Sequence, residues 1–114
     1  MEATDLMLND LVLYRGMVAK VIDIYGNGQV RLCIYGQDIR KSMPAEKLSP
    51  IPLTPEILEK NGWNYDDLVH EWYGPMTLYG ECPNLIVRDG IEISYVHDIQ
   101  HAFKQCGIKK EIVV

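Results

Sequence analysis

The chain has 114 residues, 47% of them hydrophobic and 24% charged, with a formal net charge of −5. That length suits one domain with its own core, and the composition is that of a globular chain, which excludes wholesale disorder. Residues 1–53 carry six acidic and six basic side chains and residues 54–114 ten acidic and five basic, so neither half shows the basic footprint of a nucleic-acid binder.

No apolar run nears the ~20 residues a membrane-crossing helix needs. The opening Met1-Glu-Ala-Thr-Asp has neither the basic nor the apolar stretch of a signal peptide. A cytoplasmic location is therefore expected, with Cys33, Cys82 and Cys106 as reduced thiols.

In chain order, residues 11–14 (Leu-Val-Leu-Tyr) are the first expected strand, closed by Arg15-Gly16. Residues 18–25 are the second, and Asn27-Gly28 after it predicts a type I′ hairpin turn. Residues 30–35 return, with Val30, Leu32 and Ile34 on one face and Arg31, Cys33 and Tyr35 on the other. Gly36-Gln37-Asp38 turns the chain into a run over 39–43, which Pro44 ends. Short strands this close together gain by curling until their edges are covered, so a small SH3-like antiparallel barrel is expected over 1–53.

Pro50 and Pro52 make an extended connector. Thr54 as N-cap, Pro55 at N1 and Gly62 at C′ bracket a short helix that buries Ile57 and Leu58. Residues 63–80 show no clear period, and 68–73 fits a strand or a helical turn. Residues 84–88 and 91–95 flank Asp89-Gly90, a second hairpin signal. A final helix is expected from Val96 to Cys106, stopped by Gly107, with an edge strand over 111–114. The fold class is thus α+β and mainly β. An SH3-like β subunit (1–53) is followed by an α+β subunit (54–114) with a helix, a hairpin and a C-terminal helix, packed as one domain.

Two segments carry a family resemblance. Residues 48–63, Leu-Ser-Pro-Ile-Pro-Leu-Thr-Pro-Glu-Ile-Leu-Glu-Lys-Asn-Gly-Trp, resemble the PIPLT-x-E-x-L-x-K-x-G core of a family of small uncharacterised proteins from gut bacteria and their phages and mobile elements. Residues 95–100, Tyr-Val-His-Asp-Ile-Gln, resemble the YVHxLQ stretch of the same family. The resemblance implies an accessory protein of a phage or mobile element, and it brings no activity and no site residues. His101 departs from that pattern, since Asn is common there in relatives.

His97 and His101 have the i, i+4 spacing with which helical histidines grip a metal ion. On a helical wheel, however, Val96, Ile99, Phe103 and Cys106 gather on one side, and both imidazoles point the other way, to solvent. A metal-dependent enzyme around these two and His70 is accordingly the remote alternative. Cys106 is expected in the core, and Cys82, before Pro83 in a loop, at the surface. Glu56, Glu59, Asp66 and Asp67 fit solvated faces, and neither a phosphate-binding Gly-rich loop nor a nucleophile elbow is present. No catalytic residue and no cofactor are expected.

The binding candidates are Tyr14, Tyr25 and Tyr35, at strand ends of the first half. Tyrosine buries a large area at low entropic cost, and SH3-like barrels hold peptides through such rings. The leading expectation is a non-enzymatic interaction module whose partner is another protein or a second copy, away from any membrane. A nucleic-acid adaptor using Arg31, Arg40, Lys41 and Lys47 ranks second.

Overall fold

In the computed structural model, which describes residues 1–88 and 90–114, the first of two units (Met1–Ile51) is a meander of antiparallel strands. Strands β1 (Leu11–Tyr14) and β2 (Met17–Ile24) are joined by Arg15-Gly16, at φ 50° and 76°. Strands β3 (Gln29–Ile34) and β4 (Gln37–Asp38) are joined the same way by Tyr35-Gly36, at 51° and 78°. Two successive left-handed residues make the type I′ turn, whose twist matches that of the flanking strands.

The Asn27-Gly28 turn differs from the expected type. Of residues 26–28 only Gly28 has positive φ (82°). Its N–H donates to the Tyr25 carbonyl at 3.3 Å, while the Tyr25 N–H donates to the Gln29 carbonyl at 2.9 Å. This is a three-residue loop with a glycine bulge; the extra residue removes the need for Asn27 to turn left-handed.

The run over 39–43 also breaks. Arg40 takes φ 54° and donates its N–H to Asp38 Oδ1 at 2.8 Å, which ends β4. Pairing resumes at β5 (Met43–Pro44), so β4 and β5 share one edge of β3, at Cys33↔Asp38 and Val30↔Met43. The sheet order is β1-β2-β3-β4 with β5 on β3, and no closed barrel forms. After a 3-10 turn (Ala45–Lys47), the chain meets β1 only at the bridge Leu13↔Ser49, where the two N–H groups donate reciprocally at 2.8 and 2.9 Å. Barrel closure takes a continuous ladder, not a single pair. Alternation along the strands turns Val12, Ala19, Val21, Val30 and Leu32 into one core, joined by Leu6, Met43, Ala45 and Leu48.

The second unit (Pro52–Val114) opens with α1 (Pro55–Lys60). Its punctuation is the expected one: Thr54 Oγ1 accepts from the Ile57 N–H at 3.2 Å, Pro55 stands first, and Gly62 takes φ 94°. Leu58 is buried and Ile57 half-buried. Five antiparallel strands follow: β6 (Asn64–Asp66), β7 (Glu71–Tyr73), β8 (Leu78–Glu81), β9 (Asn84–Ile86) and β10 (Glu92–Ile93), in the order β10-β9-β8-β7-β6. The featureless stretch 63–80 thus supplies β6, β7 and most of β8. A β9–β10 hairpin forms, with strands shorter than the expected 84–88 and 91–95, and Asp89 of the expected turn lies outside the described residues. Helix α2 (Val96–Cys106) has the expected span and stops at Gly107, φ 69°. Among the described residues no helix is long and apolar enough to cross a membrane.

Trp63 is the centre of this unit's interior. Only 1% exposed, it stacks on Phe103 with centroids 5.8 Å apart and planes 13° from parallel. Its Nε1–H donates to the Met76 carbonyl at 2.7 Å. Gly74 lies so close beneath that a Cβ there would stand 2.8 Å from two ring atoms.

The edge strand expected over 111–114 does not form. Instead Asn61, 3% exposed, accepts from the Val113 N–H at 2.8 Å and donates to the Val113 carbonyl at 2.6 Å. Its amide also donates to the Ile57 carbonyl at 2.7 Å. A side-chain amide takes the place of a neighbouring strand, and Ile112 is buried without a ladder. Removing it leaves the bonded backbone groups short of partners, which costs about 1–3 kcal/mol. Asn61→Ala is therefore expected to lower the unfolding free energy by that amount, read in urea as a lower midpoint with an unchanged m-value.

Candidate functional site

The three candidate tyrosines do not converge. Tyr14 sits opposite Met17, and Tyr35 follows Ile34, which pairs with Ala19, so both lie near the start of β2. Tyr25 follows Ile24 at the other end of that strand, roughly 25 Å away at ~3.3 Å per residue. Tyr35 is 83% exposed at its turn, whereas Tyr14 packs on the core rim beneath the Arg15 guanidinium, 5.4 Å from its centroid. Of the basic residues, Arg31 is engaged. Its hydrogen bonds to Asp38 and then Tyr25 hold its pKa above the ordinary guanidinium value.

The histidines also depart from expectation. His97 is 7% exposed, covered by the Tyr95 ring (centroids 5.8 Å, planes 7°) and by the edge of His101 (5.5 Å, 71°). Rings flanking the first turn of α2 provide that cover, which a wheel of the helix alone omits. His70 lies on the turn between β6 and β7, its Nδ1 2.9 Å from the Tyr65 hydroxyl and 3.7 Å from Glu81. Among the described residues no group of three His, Cys, Asp or Glu side chains is placed to hold a metal ion. Cys106, expected in the core, is exposed, because the buried face of α2 ends at Phe103 and the chain turns away at Gly107. Cys82, expected at the surface, is half-buried; burial foremost, with the Glu56 charge, pushes its thiol up to about 11. A thiol so placed is a poor nucleophile at neutral pH.

The structure does gather a groove of about 500 Å³ in the second unit. One wall is a stripe of α2 (Asp98, His101, Ala102, Gln105 and Cys106) whose i, i+3, i+4, i+7 spacing keeps it on one helix face. Val87, Ile91 and Ile93 of the β9–β10 hairpin form the opposite wall, with Met76 alongside. Asp98 Oδ2 accepts from the Ser94 and Tyr95 N–H groups, both at 3.0 Å, which fixes the start of the helix wall.

The outer face of the second sheet continues this groove. Strand register aligns Asp66, Glu71, Tyr79, Ile86 and Glu92 in one row. That row is opposite the face of the buried Trp72, Leu78, Leu85 and Ile93. Tyr79 and Glu92 belong to both row and groove. Tyr73, two residues from Glu71, shares the face and donates its hydroxyl to that carboxylate. This hydrogen bond, then burial and the Glu71 and Asp66 charges, pushes Tyr73 up to about 12. No local signal announces the row, since it depends on the register of four successive pairings.

Comparison with protein-family models, with curated proteins and with solved structures returned no match.

A spectrophotometric titration is expected to show one tyrosine ionising near pH 12, moved down towards 10 by Glu71→Gln. The folded value lies above the unfolded one, so the interaction supports the fold below pH 10 and fades as pH rises towards 12. A wild-type titration with every tyrosine near pH 10 contradicts the Tyr73–Glu71 bond.

Proposed function

We propose that the chain is a small non-enzymatic protein-interaction module, an accessory protein of a phage or mobile element, that binds through the groove of its second unit. The groove itself carries this reading. Its volume of about 500 Å³ and its lining, in which Met76, Val87, Ile91 and Ala102 are accompanied by Arg88, Glu92 and Asp98, suit an apolar anchor with polar neighbours. Ile91 at its mouth is 52% exposed and Ile86 on the adjoining face 44%. Aliphatic side chains left in water around a concavity are the mark of an interaction site.

The first unit supports the reading as a scaffold. Its hairpin strands, 3-10 turn and single bridge back to β1 at Leu13↔Ser49 are the features on which an SH3-like reading of this unit rests. The resemblance of residues 48–63 and 95–100 to small mobile-element proteins supports the biological setting, with a cytoplasmic protein, or a second copy, as partner.

Panning a random peptide-display library on the immobilised chain tests the proposal. Enriched peptides are expected to lose at least tenfold in affinity for Ala102→Trp, which fills the groove from the helix side, and for Ile91→Asp, which charges its mouth. Tyr35→Ala is expected to leave them unchanged. Failure to enrich any peptide, or enrichment indifferent to both groove substitutions, overturns it.

A further inference from the structure

We infer that the segment recognised by this module is an extended, cationic peptide carrying two Lys or Arg side chains four residues apart with an apolar residue midway. The inference rests on the interaction reading above and names its ligand class.

Charge supplies the first part. The outward strand positions of the second sheet hold Asp66, Glu71, Glu81 and Glu92 and no Lys or Arg; Arg88, past the end of β9, lines the groove along with Glu92. The unit as a whole holds ten acidic against five basic side chains, the entire excess of the protein. Between the carboxylates lie Tyr79, Tyr73 and Ile86, the last two 45% and 44% exposed. Aromatic faces accept a cation and aliphatic stems as readily as an apolar side chain.

Spacing supplies the second part. Glu71 and Glu92 are aligned three strands apart through Tyr79 and Ile86, a separation of ~14 Å at ~4.8 Å per strand. In an extended peptide, residues i and i+4 point the same way and lie ~14 Å apart at ~3.4 Å per residue. Two cations at that spacing meet Glu71 and Glu92 together, and residue i+2 rests on Tyr79 and Ile86. A helix matches less well, since its i, i+7 neighbours span only ~10.5 Å.

Fluorescence anisotropy with labelled Thr-Lys-Thr-Leu-Thr-Lys-Thr tests the pattern on the full chain. This probe is expected to bind at least tenfold tighter than its counterpart with Glu for Lys, and tighter than Thr-Thr-Lys-Leu-Lys-Thr-Thr, which turns Leu away from the cations. Combining Glu71→Gln with Glu92→Gln is expected to weaken binding at least fivefold, as is raising salt from 20 to 300 mM, a change that shortens electrostatic reach well below the Glu71–Glu92 span. Both substitutions are at exposed or half-exposed strand positions, and an unchanged thermal melt confirms the fold. Equal affinity for both signs of charge, indifference to the double substitution, or no saturable binding overturns the inference. Panned peptides that need the groove but show no cation preference leave the interaction module standing and remove only this ligand class; loss of all groove-dependent binding removes the module itself.

Discussion

The Trp63 ring constrains the second unit more than any other side chain. It is stacked on Phe103 of α2, hydrogen-bonded to the carbonyl of Met76, and pressed against the backbone of Gly74. Those three attachments reach both sides of the groove: Ala102 precedes Phe103 on the helix wall, and Met76 stands beside the hairpin wall. A groove whose walls are tied to one buried ring is preorganised, which lowers the ordering cost when a ligand enters. The magnitudes agree with that ranking. Truncating a buried tryptophan costs on the order of 3–5 kcal/mol, against about one to three for losing the bonds Asn61 makes.

The two units divide the chemistry between them. The first is neutral in formal charge, and its Arg31 is tied to Asp38 and Tyr25. The second concentrates negative charge and exposed apolar surface on neighbouring strands. On the interaction reading proposed above, such a combination favours a ligand that is itself amphipathic, because carboxylates penalise acidic competitors while Tyr79 and Ile86 reward shape.

What was legible beforehand was local. Thr54, Pro55 and Gly62 around α1, and Gly107 after α2, act within one turn of chain, so their positions in the sequence are enough to place the helix ends. Three-residue strands such as β6 and β7 have no such signature; they exist because Tyr65 pairs with Trp72 and Trp72 with Leu78, partners separated by turns. The burial of His97 under Tyr95 and the use of Asn61 as a substitute strand are tertiary facts of the same kind. The choice of left-handed turns went against propensity as well. Arg15 and Tyr35 adopt positive φ while Asn27, better suited to it, does not. Strand length and register decided each case, and propensity gave way.

The bond from the Tyr73 hydroxyl to Glu71 couples a chromophore to the acidic face. A guanidinium arriving at Glu71, which keeps its charge where Tyr73 ionises, competes for the same carboxylate and stabilises phenolate nearby, so it makes the phenol easier to ionise. The face therefore contains its own optical indicator: occupancy alters near-ultraviolet absorption in alkaline solution, with no dye attached and no surface residue replaced.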